Sequence, residues 1–301
     1  MENTVLSKKE FDILVLLKSN TEEKISQRKL STETGFSLGT VNKIISELTE
    51  KKYITSYLKI TELGLKALEP YKVKRAIFLA AGFGSRLVPI TLNTPKPLIK
   101  VHGKKIIETL LDAVVKANIP EIIIVRGYLG EQFEVLLHKY PNIKFIDNPK
   151  YNEANNISSA YMVKDYFERA YVLESDLLLS NEKLIREYEY SSHFLGIPVD
   201  ETDDWCVETK NGIITKEKVG GVNCHLLLGI SYYDEEYGKK LAKDMEEVFN
   251  SPGGKEKYWE QVQLVERKEN YKFQIRECKR EDIVEIDTFN ELKQIDKAYD
   301  Q

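Results

Sequence analysis

Apolar positions recur at helical spacing through residues 7–19, where Phe11, Ile13, Leu14, Leu16 and Leu17 form one stripe that Ser7 can cap. A second helix is expected over 26–34, broken by Gly35. A third starts at Ser37 with Val41, Ile44, Ile45 and Leu48 on one face. Helix, short glycine-containing turn and helix is helix-turn-helix spacing. Residues 53–60 alternate well enough for a pair of short strands, and a closing helix is stopped by Pro70. From Lys74 the texture changes to short continuous apolar runs at 76–81, 121–126, 143–147 and 170–173, alternating with amphipathic stretches at 106–118, 131–140 and 159–167. That alternation predicts an α/β domain with a mixed, mostly parallel sheet. The chain therefore divides into residues 1–70 and 74–301, with a short linker at about 69–74. Beyond Asp176 the pattern is less regular. Helices are expected over 183–190, 236–250 and 258–266, strands over 194–198, 226–233, 272–276 and 283–286, a hairpin from 205–207 and 212–215, and a terminal helix from near Thr288.

The first buried run empties at Gly82 into Gly82-Phe83-Gly84-Ser85-Arg86, a loop whose backbone can come close to a bound anion. It lacks the third glycine of a dinucleotide fingerprint and the G-K-[ST] ending of a P-loop, which excludes both. Ten residues past Arg86, Thr94-Pro95-Lys96-Pro97 stiffens the backbone around one lysine and aims a cation. In open α/β sheets ligands sit beyond the carboxyl ends of the strands, so the loop, Gly127-Tyr128 and Asp176 should converge on one site. Phosphoryl chemistry there gathers negative charge and calls for a divalent cation, and Mg²⁺ takes oxygen ligands. Asp176 and Asp287, each at the end of an apolar run, are the candidates. Each is equally well placed to cap a helix.

Composition removes several alternatives. The 301 residues are 42% hydrophobic and 31% charged, as in globular proteins. Lys plus Arg number 44 against 48 Asp plus Glu, a net charge of −4 that argues against a chain devoted wholly to nucleic acid. A local contact with DNA remains open for Lys43, Lys51, Lys52 and Lys59 of the helix-turn-helix region, beside docking or homodimer formation. Cys206, Cys224 and Cys278 are too scattered for a disulfide framework or zinc knuckle, and the four histidines form no metal motif. No apolar run approaches the ~18 residues of a membrane span, and the first residues lack a signal-peptide core, so no membrane partner and a cytoplasmic address are expected.

Taken as a whole, LAAGFGSRL followed by TPKPLI resembles the nucleotidyltransferases that join a nucleoside triphosphate to a phosphorylated sugar or alcohol. Residues 1 to about 70 resemble a winged helix-turn-helix domain. From Lys74 onward the chain is most similar to the bacterial CTP:phosphocholine cytidylyltransferases, through IVRGYLGEQF, NNISSAYMVK, YVLESDLLL, DDWCV, LGISYYD, KYWEQ and VEIDTFNEL. The resemblance implies transfer of CMP from CTP to phosphocholine with Mg²⁺ on Asp176 and Asp287, and with Arg86 and Lys96 on the triphosphate. It also implies nucleotide contacts from Leu79, Ala81, Gly82, Gly84, Ser85, Gly127, Tyr128, Asn156 and Ser158. The acceptor would be held by Trp205, Tyr232, Tyr258, Trp259 and Glu260, aromatic faces and a carboxylate suited to a quaternary ammonium. Glu174 stands where relatives tend to carry Asp, and the loop 216–225 departs from the family, so 2-aminoethylphosphonate, another amino-alcohol phosphate or a sugar phosphate stay open as acceptors. A nucleotide-sensing transcription regulator is the reading from a different class.

Overall fold

The computed structural model describes residues 5–20 and 25–300, and the chain separates into two compact units, Met1–Lys72 and Val73–Gln301. In the first unit, α1 (Lys8–Ser19), α2 (Gln27–Thr34), α3 (Leu38–Glu50) and α4 (Glu62–Leu68) are each started by the side chain of Ser7, Ser26, Ser37 or Thr61. Gly35 ends α2 in the left-handed conformation at φ 72°. The expected strand pair is reduced to one bridge, Ile54 to Ile60, forming a minimal wing before α4. Lys51, one of the four candidate phosphate-binding lysines, is instead tied at 2.6 Å to Glu10, which is buried.

The second unit is built on β1 (Arg75–Ala80), a hairpin of β2 (Lys100–Val101) and β3 (Lys104–Lys105), α5 (Ile106–Lys116), β4 (Glu121–Arg126), β5 (Ile143–Asp147), α6 (Ile157–Met162), β6 (Ala170–Glu174) and β7 (Leu177–Leu179). There follow β8 (His193–Lys210), β9 (Ile213–Tyr233), α7 (Glu235–Phe249), α8 (Trp259–Gln261), β10 (Gln274–Glu277), β11 (Ile283–Glu285) and α9 (Phe289–Ile295). Among the described residues, seven strands form one mixed sheet in the order β10-β8-β9-β6-β1-β4-β5. β1 lies parallel to both β4 and β6, and β6 is antiparallel to β9. Alternation along β1 sends Ala76, Phe78 and Ala80 into the core beneath α5, while Ile77 joins the opposite cluster with α6 and α7. Both faces are covered, which is why β1, β4 and β6 read as continuous apolar runs.

Two expectations fail here. Residues 183–190 form one short turn at Glu182–Leu184 and then run non-helically, because Glu189 is buried and held by Arg276 and Tyr171. The separate strands expected over 194–233 are two long partners, β8 and β9, whose register shifts at several points between Phe194 and Thr209. Those irregularities broke the period-two signal into pieces.

Candidate functional site

β1 ends at Ala80, and the chain passes through Gly82 and Gly84 into the turn Ser85–Leu87. Gly84 has φ 62°, and a Cβ there would sit 2.9 Å from Lys96 Cβ and 3.1 Å from Thr91 Cγ2. Only glycine lets the loop lie on the turn Lys96–Leu98. Thr91 Oγ1 donates to the Gly84 carbonyl at 3.0 Å and fixes that contact.

Lys96 is only 7% exposed, so its charge must be answered from within. Its Nζ donates to Asp176 Oδ2 at 2.7 Å and to Asp287 Oδ1 at 3.0 Å. Burial is the largest single influence and opposes the ammonium, but attraction to and hydrogen bonds with Asp176 and Asp287 together outweigh it and raise the lysine above its usual range. Arg86 grips the same Asp287 with both ends of its guanidinium, at 2.7 and 3.0 Å.

The short antiparallel pair β7–β11 explains how residues a hundred positions apart meet. Leu177 is in register with Glu285, and Ile286 N donates to the Asp176 carbonyl at 3.3 Å. Asp287 is not the cap of α9. Thr288 is, in a capping box with Glu291, which leaves the Asp287 carboxylate to Arg86 and Lys96. Glu174, Asp176 and Glu285 offer oxygens that lie within 4.8 Å of one another. Asp176 Oδ1 is sealed from solvent with no hydrogen-bond partner among the described residues. Burial, then repulsion from Asp176, Glu174 and Asp287, pushes Glu285 up to about 9. Burial, then Glu260 and Asp176, raises Glu174 well above the carboxylate range. Crowded carboxylates around an unbonded buried oxygen are a donor set for a hard divalent cation.

These groups line a cavity of about 630 Å³. Leu79, Ala81, Gly82, Gly84, Ser85, Arg86 and Lys96 all reach it, as do Asn156, Ser158, Trp205, Tyr258, Trp259 and Glu260. Asn156 Oδ1 accepts from the Trp259 backbone at 2.9 Å, so the loop before α6 holds α8 in place. Ser158 Oγ donates to the Asn155 carbonyl at 2.8 Å and accepts from Asn148 Nδ2 at 2.9 Å. The Trp205 and Tyr258 rings meet at 5.3 Å.

Three expected site residues lie elsewhere. Gly127 and Tyr128 back the glycine loop instead of lining the cavity: Tyr128 N donates to the Ala81 carbonyl at 3.1 Å, and its ring lies 5.0 Å from Phe83. Tyr151 packs directly on Gly127 and presents itself to the cavity in their place. Tyr232 is fully buried between Tyr171 and His193 on the opposite face of β9 from the cavity-side Tyr233 cluster. Strand alternation makes that exclusion unavoidable. Sequence reasoning missed Glu285 and Glu217 and read Glu174 only as a departure, yet all three line the cavity. Glu285 carried a signal, since it stands two residues from Asp287 and so shares its side of the chain.

Residues 75–217 match the family described as nucleotidyl transferase, and residues 13–80 match that described as wHTH-PRTase associated. The 2-aminoethylphosphonate cytidylyltransferase of Lancefieldella rimae is 34% identical over 228 residues, covering 74% of this chain and 92% of that protein. The choline-phosphate cytidylyltransferase of Streptococcus pneumoniae is 31% identical over 228 residues, covering 74% of this chain and 97% of its own. The solved CTP:phosphocholine cytidylyltransferase from Streptococcus pneumoniae superposes with a TM-score of 0.70 at 28% identity, over 75% of this chain and 99% of the other.

Proposed function

Because the chain belongs to the cytidylyltransferases of the nucleotidyl transferase family, we propose that it transfers CMP from CTP to a small phosphate or phosphonate bearing a cationic amine, releasing pyrophosphate. The observation that supports this most is Lys96, buried and charged between Asp176 and Asp287 beneath the glycine loop. An oxygen of the acceptor's phosphate or phosphonate attacks the α-phosphorus. That bond forms as the bond from the α-phosphorus to the bridging oxygen breaks, and the electron pair leaves with pyrophosphate. The glycine-loop backbone and the exposed Arg86 guanidinium receive the triphosphate, while Lys96 keeps a fixed positive charge beside the reacting phosphates. Arg86 and Lys96 are now engaged by Asp287, so an incoming triphosphate competes with that carboxylate for both cations. Asp176, Glu174 and Glu285, with Asp287 beside them, would hold Mg²⁺, whose contribution when bound is to neutralise charge on the phosphate oxygens. No group in the cavity is needed as a covalent nucleophile, since the acceptor brings its own.

Phosphocholine and 2-aminoethylphosphonate both belong to this acceptor class, and aromatic and acidic side chains in the cavity suit a cationic group better than a sugar. Pyrophosphate release should be measured over the four nucleoside triphosphates with each acceptor. CTP is expected to exceed the others by roughly 10²-fold in kcat/KM, and a stronger reaction with another triphosphate would overturn the cytidylyl reading.

Two further outcomes are expected. Millimolar Mg²⁺ should raise the melting temperature of the full chain by about 2–5 °C through binding to the folded state alone. Asp176→Asn should remove most of that rise in a fluorimetric melt with and without chelator, and an undiminished rise would place the cation elsewhere. Gly84→Ala should reduce kcat/KM about tenfold, because the new Cβ forces the loop off Lys96. Steady-state rates beside a melt would show it, and unaltered kinetics would mean the close approach is dispensable.

A further inference from the structure

The cavity carries a group of carboxylates that cation-free phosphate chemistry does not use. Glu217, on β9, pairs in register with Val207, two residues from Trp205 on β8, and lines the cavity. Its Oε2 is shielded from solvent and accepts no hydrogen bond from the described residues. Burial pushes the Glu217 carboxyl up to about 7, and among the described residues no cation offsets it. Glu217 also acts electrostatically on Glu260, and Glu260 on Glu174. Gly229, at φ 48°, makes room for Glu174, since a Cβ there would come within 2.8 Å of Glu174 Oε2.

The aromatic walls beside these acids are incomplete as a cage. Trp205 and Tyr258 face one another, but Trp259 is 1% exposed and stacks into the core, 6.4 Å from Phe167 and 6.1 Å from Tyr233. Tyr232 lies on the other side of the sheet. A trimethylammonium group offers no hydrogen-bond donor, and in this setting it would leave Glu217 Oε2 buried and unsatisfied. A primary ammonium offers three N–H donors. A site whose buried acceptors are matched by a substrate's donors rejects the analogue that lacks them, because the acceptors are then left unpaired.

Resting on the transferase reading above, we propose that Glu217 is a specificity residue which, with Glu260 beside the Trp205–Tyr258 pair, selects acceptors whose cationic end is a primary, N–H-bearing ammonium over their N-methylated counterparts. Glu217 then accepts directly from the ammonium, and Trp205 and Tyr258 cover its flank.

The test is a graded acceptor series with CTP and the full chain: phosphoethanolamine, its N-methyl and N,N-dimethyl forms, and phosphocholine, with 2-aminoethylphosphonate alongside. In the wild type, kcat/KM should fall with each methyl group, to about 10²-fold lower for phosphocholine than for phosphoethanolamine. Glu217→Gln should raise KM for the primary amines about tenfold with kcat changed far less, and should narrow the ratio across the series. The wild-type series alone decides the case if the variant fails to fold. Phosphocholine turned over as well as or better than the primary amines, or an equal loss for every acceptor in Glu217→Gln, would overturn the specificity assignment while leaving the transferase reading intact. No pyrophosphate from any acceptor would instead bring down the transferase reading, and the specificity assignment with it.

Discussion

Asp176→Asn is expected to lower kcat for CMP transfer by about 10³-fold, roughly 4 kcal/mol of transition-state stabilisation. The substitution is nearly isosteric, so the β7–β11 pairing that carries the residue should survive. What it removes is charge at the one place where Lys96, Glu174 and Glu285 all converge on the same side chain. The amide still accepts from Lys96 through its oxygen, but it is a weaker ligand for a hard cation and no longer balances the buried ammonium. Near-normal KM for CTP with a collapsed kcat is the expected signature of an interaction made mainly in the transition state. A variant retaining more than about a tenth of wild-type kcat would remove Asp176 from the chemistry.

Lys96→Met comes next in size, at about 10²–10³-fold in kcat/KM. Its two ion pairs are nearly buried, so the loss is not one of the small effects typical of surface pairs. Removing the lysine leaves Asp287 to Arg86 alone and takes the cation from Asp176, and the metal-free protein should melt at a lower temperature. The same vacancy of positive charge favours a divalent ion. The Mg²⁺-dependent rise in melting temperature should therefore be at least as large as in the wild type while turnover falls. That opposition separates a catalytic lysine from one that merely holds the fold. Loss of turnover together with loss of the Mg²⁺ effect would point to a collapsed site.

The half of the cavity around the glycine loop was legible because it is local. The run from Leu79 through Lys96 encodes a strand, a glycine loop and a lysine between prolines within about twenty residues, and all three meet in the folded chain. Asp176 and Asp287 were legible as strand-end acids, although their meeting depends on the β7–β11 pair, which no local pattern announces. The acceptor side was much less legible. Glu217 reaches the cavity only through cross-strand pairing with β8 across a series of bulges, and a single register shift would have turned it away. Tyr232 and Tyr233 are adjacent and chemically alike, so composition could not say which faced the cavity side; the pairing of Tyr171 with Tyr232 settles it. Gly127 and Tyr128 were correctly placed beyond a strand end but one layer too deep, behind Tyr151. In the first unit the helices begin where Ser7, Ser26 and Ser37 led the sequence to expect them, whereas the wing shrank to a single bridge because the seven residues from Ile54 to Ile60 leave room for little more.

On this reading the glycine loop, Lys96 and the acids around Asp176 form one centre for moving CMP. It is tested most directly by following formation of the CMP adduct and pyrophosphate together, from CTP and 2-aminoethylphosphonate with Mg²⁺, in wild type and Asp176→Asn side by side. The wild type should form both products in equal amounts and neither without acceptor, and the variant should form them about 10³-fold more slowly. Pyrophosphate without adduct, or equal rates for the two proteins, would contradict it.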